Sequence, residues 1–133
     1  MNFPKKVQKF FNLAIKEAEK SEYSSFRHGA IVCKGGSVIQ GSPNKNCLCS
    51  FGERFIHYKG IPTVHAELGS ILGVSKTNTH NATVYVVRIN RNGTLMNSRP
   101  CPMCQGVLFF VGVKRVFYSI SDNEYGVLNL NRG

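Results

Sequence analysis

No apolar run in this sequence is long enough to cross a membrane. The longest, residues 107–113, is interrupted by Gly112, and a helical span needs about 20 apolar residues. The N-terminus turns polar at once, with Lys5 and Lys6 following Pro4, and lacks the apolar core of a secretory signal. These two absences lead to the expectation of a cytoplasmic chain without a membrane partner. Acidic residues are scarce: Asp and Glu number 7 against 17 Lys and Arg, for a net charge of +10. Such an excess favours an anionic partner, nucleotide or nucleic acid, although it also fits a basic protein that merely stays soluble. Internal repeats and low-complexity linkers are missing as well, so nothing divides the 133 residues into two domains. The five cysteines, Cys33, Cys47, Cys49, Cys101 and Cys104, are an odd number. In a reducing compartment they read as thiols and metal ligands rather than disulfides.

An apolar content of 42% is enough to close a core. Val7, Phe10, Phe11, Ala14, Ile15 and Ala18 recur at helical spacing behind Pro4, and predict a helix covering a sheet. Residues 29–33 and 37–40 flank Lys34-Gly35-Gly36 as a hairpin. Residues 44–61 read as a long loop, 63–74 as a helix and 83–89 as a β-branched strand. Asn92-Gly93 marks a turn, 100–111 a second buried helix, 114–119 a strand and 127–130 a last one. That order implies a layered α/β domain with helices on a mixed sheet. Too few residues separate the final two strands for a parallel crossover, so the last should run antiparallel.

Two short boxes carry chemistry: His65-Ala66-Glu67, and Pro100-Cys101-Pro102-Met103-Cys104. Cysteines spaced by two residues at a helix start share a face and can grip one ion. The partial positive charge of a helix N-terminus favours thiolate. With His65 they make three ligands, which leaves a fourth position for water, the pattern of a catalytic rather than a structural zinc. Glu67, two residues beyond His65, could reach that water without being a ligand and move its proton. A simple helix cap explains Glu67 poorly, since a capping box wants Ser or Thr at position 64, which is Val64. A structural zinc knuckle or inert thiols would explain the cysteines alone, but not both boxes together.

The paired boxes resemble the cytidine deaminase superfamily of zinc-dependent nucleobase deaminases, whose signature is H-x-E followed by P-C-x-x-C. Val84-Tyr85-Val86 and Gly112-Val113-Lys114-Arg115-Val116 are similar to the strands flanking that family's zinc helix, and Val38-Ile39 leading to Asn44 to its second strand and sugar loop. The resemblance implies a three-layer cytidine-deaminase-like fold over residues 1–133, with a mixed five-stranded sheet flanked by helices. It implies one Zn2+ per chain on His65, Cys101 and Cys104, with Glu67 as the proton carrier. By the same resemblance Phe26 packs near the base, Asn44 bonds a ribose hydroxyl, and Ala66 and Pro100 line the substrate site. Core packing for Phe26 and a turn role for Asn44 after Pro43 stay open beside these. A homo-oligomer, dimer or tetramer, is the family's habit.

The activity so implied is hydrolytic deamination of cytosine in cytidine, deoxycytidine or dCMP. Asn46 stands where cytidine deaminases usually carry Glu, and with Lys45 it would tolerate a 5′-phosphate better than a carboxylate would. Arg99 stands where tRNA adenosine deaminases usually carry Glu before Pro-Cys, which argues against adenosine in tRNA; Arg99 either meets a phosphate or lies on the surface. The alternative carrier is single-stranded DNA or RNA, drawing on the net charge and on Phe51, Phe55 and Tyr58. A reading from another class is a zinc-stabilised binding subunit without activity. Cys47 and Cys49 alternate along an extended segment and point opposite ways, so they read as loop thiols rather than a second metal site.

Overall fold

A computed structural model describes residues 3–21, 27–44 and 74–130. Within them the chain runs α1 (Lys5–Ala18), β1 (Arg27–Lys34), β2 (Ser37–Pro43), α2 (Lys76–Thr79), β3 (Thr83–Ile89), β4 (Leu95–Met96), α3 (Pro102–Phe110), β5 (Arg115–Ser121) and β6 (Glu124–Asn129). The strand order is β2-β1-β3-β5-β6, with β4 paired to β3. Among the described strands only β3 and β5 are parallel; every other pair is antiparallel, the β5–β6 hairpin included. Apart from Asn44 and Val74, the predicted loop over 44–61 and the predicted helix over 63–74 lie outside the described residues; Val74 is not helical.

The period of two along each strand sorts side chains onto two faces. Ile31, Cys33, Tyr85, Val87 and Ile89 meet Val7, Phe10, Phe11 and Ala14 of α1. Ala30, Val32, Val84, Val86, Val116 and Tyr118 meet Cys104, Val107 and Leu108 of α3. The result is three layers, helix on sheet on helix. Residues Val84 to Val87 of the central strand are all buried, as expected where both faces are covered. Gly35 and Gly36 both take positive φ, 60° and 83°, and close the β1–β2 hairpin in two residues.

The sheet has six strands where the sequence pattern predicts five, because the two-residue β4 returns beside the end of β3. Two paired residues leave no period to detect in a sequence. The parallel ladder of β3 and β5 runs from Thr83 and Arg115 only to Val86 and Tyr118. Past that point the chain after β4 wedges between the strands. The Ser98 hydroxyl donates to the Val86 carbonyl at 2.9 Å and accepts from the Ser119 amide at 2.8 Å. The Ser98 amide donates to the Ser119 carbonyl at 2.8 Å, and the Ser119 hydroxyl donates to the Met96 carbonyl at 2.8 Å. Both serines are buried.

Helix α3 ends in a two-bond cap. The Val113 amide bonds the Leu108 carbonyl and the Gly112 amide the Phe109 carbonyl, each at 3.0 Å, with Gly112 at φ 89°. The Thr79 hydroxyl of α2 donates to the Val111 carbonyl at 2.8 Å and closes the same end.

Three substitutions test these contacts through stability. Ser98→Ala leaves the Ser119 amide and Val86 carbonyl short of a partner and should cost about 1–3 kcal/mol in urea unfolding. At Gly29 an added Cβ would stand 2.0 Å from the Ala14 carbonyl oxygen and 2.4 Å from the Ala18 nitrogen. Gly29→Ala should therefore lower stability by about 3 kcal/mol or more. Gly106→Ala, in α3 with open space around it, should raise stability by about 0.5–1 kcal/mol in the same assay.

Candidate active site

The wedge decides where the cysteine box falls. Ser98 is anchored between β3 and β5, and three residues later Cys101 opens α3. The box therefore stands at the C-terminal ends of the two parallel strands, the position where open α/β sheets place ligands. Cys101 is the N-cap residue in extended backbone (φ −69°, ψ 164°), and Pro102 is the first helical residue, where a missing N–H costs nothing. Pro100 is buried. The Gln105 side chain turns back to donate to the Pro100 carbonyl at 2.7 Å, and the Gln105 amide donates to the Cys101 carbonyl at 2.9 Å. The entry to the helix is thus held from both sides.

Cys101 is partly exposed and Cys104 is fully buried, and neither is in a disulfide. They occupy the N-cap and the first turn of one helix, and no acidic residue shares that turn. Two thiols on one turn beside the helix's positive end suit a zinc ion. Among the described residues no three metal-ligating side chains come together. His65, the third expected ligand, lies outside the described residues, as do Ala66, Glu67 and Phe26. Cys47 and Cys49 lie outside them too.

Asn44 follows β2 and extends its ladder by one residue. Its amide nitrogen donates to the His28 carbonyl at 3.1 Å, and its Oδ1 accepts from the His28 amide at 2.9 Å. His28 pairs with Arg88 near the C-terminal end of β3. Asn44 and the cysteine box therefore sit at the same end of the sheet. The side-chain oxygen is spent on the backbone, a structural task that the sequence reading missed.

Arg99 is exposed directly before Pro100. Its Nη1 donates to the Tyr118 hydroxyl at 3.2 Å, and its guanidinium carbon stands 5.8 Å from the Tyr118 ring centre. Gly126 of β6 makes room for that phenol, since a Cβ there would meet Tyr118 Cζ at 2.3 Å. Ser98 and Gln105, which position the box, carried no signal in the sequence: a serine and a glutamine beside a motif are ordinary until the fold shows what they touch.

A family model described as the cytidine and deoxycytidylate deaminase zinc-binding region matches residues 4–120. Among curated proteins none matches. Among solved structures, the cytidine deaminase from Burkholderia pseudomallei is 18% identical, with 92% of this chain and 91% of that one covered at a TM-score of 0.65. The apo dCMP deaminase from the cyanophage S-TIM5 is 21% identical, with 87% and 83% covered at 0.62. RibD from Acinetobacter baumannii is 22% identical over 86% of this chain but only 28% of its own length, at 0.55. At these identities the structural likenesses establish the fold. The match to the family model spans nearly the whole chain, and the chain therefore belongs to the cytidine and deoxycytidylate deaminase family.

Proposed function

We propose that the chain is a zinc-dependent hydrolase that deaminates cytosine to uracil in a small nucleoside or nucleotide, releasing ammonia. The observation that carries this is the pair Cys101 and Cys104 on the first turn of α3, at the C-terminal ends of the parallel strands, within a match to the zinc-binding family region. His65, Cys101 and Cys104 would hold one zinc per chain. The chemistry that zinc supplies when bound is a hydrolytic water acidic enough to ionise near neutral pH. Glu67 would take one proton from the water and give it to the ring nitrogen as the water oxygen bonds the ring carbon, and would then carry the second proton, from the new hydroxyl, to the departing amine as the carbon–nitrogen bond breaks. The products are uracil and ammonia, so one water is consumed per turnover.

Substrate is oriented by Phe26 beside the base, by Ala66 and Pro100 at the two boxes, and by Asn44 at the ribose. The bond from the His28 amide fixes the Asn44 side chain at the end of the sheet where the cysteine box stands. Arg99, steadied on Tyr118 beside the box, supports a 5′-phosphate and hence dCMP among the substrates. The whole chain, 1–133, acts as one deaminase domain and assembles as a homo-oligomer. The exposed pair Phe109 and Phe110 on α3 favours such an assembly.

A second reading keeps the chemistry and changes the carrier to single-stranded DNA or RNA. The net charge of +10 favours it. The tight β5–β6 hairpin, turning at Asp122 and Asn123, favours the small substrate, since polynucleotide editors usually insert a helix there.

A panel of cytidine, deoxycytidine, dCMP and cytosine-bearing oligonucleotides, read by ammonia release, tests the assignment. Turnover should appear on the monomers. Turnover on oligonucleotides alone, with salt-dependent binding, would transfer the assignment to the polynucleotide reading. Glu67→Ala should keep one zinc per chain by atomic absorption and slow turnover by about 10²–10⁴-fold. Near wild-type turnover in that variant would refute the proton route. Cys101→Ser and Cys104→Ser should each purify with far less zinc than the parent.

A further inference from the structure

We infer that the chain has a second ligand site, a basic cavity at the end of the sheet opposite the cysteine box, that takes the phosphoryl end of a small free anion. The cavity holds about 180 Å³. Lys6 of α1, Lys34 at the end of β1 and Lys114 just before β5 reach it from three elements, with Phe10 and Tyr85 as its aromatic wall. Strand register explains why these positions meet. Cys33 of β1 and Arg115 of β5 both pair with Thr83, the first residue of β3. The cysteine box follows Ser98, which is anchored at Val86, further along that strand.

Among the described residues none that lines the cavity is acidic. The described carboxylates lie elsewhere. Asp122 and Glu124 flank the β5–β6 turn at the far end of the sheet. Glu17 sits in the last turn of α1 and is paired with Lys20 at 2.9 Å, and Glu19 is the C-cap of the same helix. The lining also carries no ionised thiol or phenol near neutral pH. Burial pushes the Cys33 thiol up to about 11, against the pull of Lys6 and Lys9, and the Tyr85 phenol up to about 12, against that of Arg115. Lys9 and Arg115 thus lie within electrostatic reach of the same walls, and Lys9 stands 5.4 Å over the Phe10 ring. Lys34 bonds the Thr77 carbonyl, which orients its ammonium without neutralising it.

Several cations around an uncharged floor repel one another until an anion enters. Lysines serve phosphate as point charges. The volume selects the size of the occupant: pockets for whole drug-sized ligands run to about 300–1,000 Å³, so this one suits a phosphate or diphosphate group rather than a base and sugar. Phe10 and Tyr85 are stacked on each other, 4.8 Å apart, which leaves no slot between them for a base.

The site is independent of the deaminase assignment, and its test reads binding rather than turnover. Calorimetric titration of the zinc-loaded full chain with pyrophosphate should show saturable binding at one site per chain. A nucleoside triphosphate should bind at least as well, and the matching nucleoside should not bind. The Lys6→Glu, Lys114→Glu double variant should lose about tenfold or more in affinity. The Lys16→Glu, Arg91→Glu variant, with the same charge change away from the cavity, should stay within about threefold. Should the first variant fail to fold, Lys6→Met with Lys114→Met keeps the stems and should weaken binding in the same direction. Absence of saturable pyrophosphate binding, equal weakening in both charge variants, or binding of oligonucleotides but not pyrophosphate would each overturn the site.

Discussion

Strands β3 and β5 separate after Val86 and Tyr118, and the gap is closed by a buried hydroxyl pair rather than by more ladder. Ser98 and Ser119 exchange bonds with each other through side chain and backbone, and their hydroxyls donate to the Val86 and Met96 carbonyls. In a low-dielectric interior such a network is rigid when complete and costly when one member is missing. Its consequence is positional. The chain leaves Ser98 in a set direction, and only Arg99 and Pro100 intervene before Cys101. The cysteine box inherits its place from two serines that have no chemistry of their own.

The helix that follows is short and mostly apolar, and it is closed at both ends by bonds from outside its regular ladder. Gln105 and Pro102 shape the start, while Gly112 and Thr79 shape the end. This matters because a helix of nine residues is marginal alone. Caps and the packing of Val107 and Leu108 on β3 and β5 hold it. A rigid α3 keeps the two thiols at one separation, which a metal ion needs.

The two ends of the sheet carry opposite kinds of chemistry. One end gathers soft thiols and a fixed asparagine amide around the ends of the parallel strands. The other gathers ammonium groups around a neutral aromatic floor. The basic excess of the chain is therefore not spread evenly, and part of it converges on one cavity that no described acid lines. Family membership accounts for the first end. Nothing in the paired boxes speaks of the second.

Sequence alone determined what depends on neighbours along the chain. The helical spacing of Val7, Phe10, Phe11 and Ala14, the paired glycines after Lys34, the β-branched run of β3 and the turn at Asn92-Gly93 are local patterns, and each appears where expected. The short link before β6 was enough to set its direction. The two boxes together carried the resemblance to the family, His65-Ala66-Glu67 and the Cys101–Cys104 spacing that fits two thiols on one helical turn. Tertiary structure decided the rest. The sixth strand is too short to have a period, the Ser98–Ser119 clamp joins residues separated by 21 positions, and the Asn44 oxygen is claimed by His28 across the hairpin. The lysine cavity needs α1, β1 and the approach to β5 to be brought together. Such features depend on which segments become adjacent in space, and a pattern confined to a few consecutive residues carries no record of that.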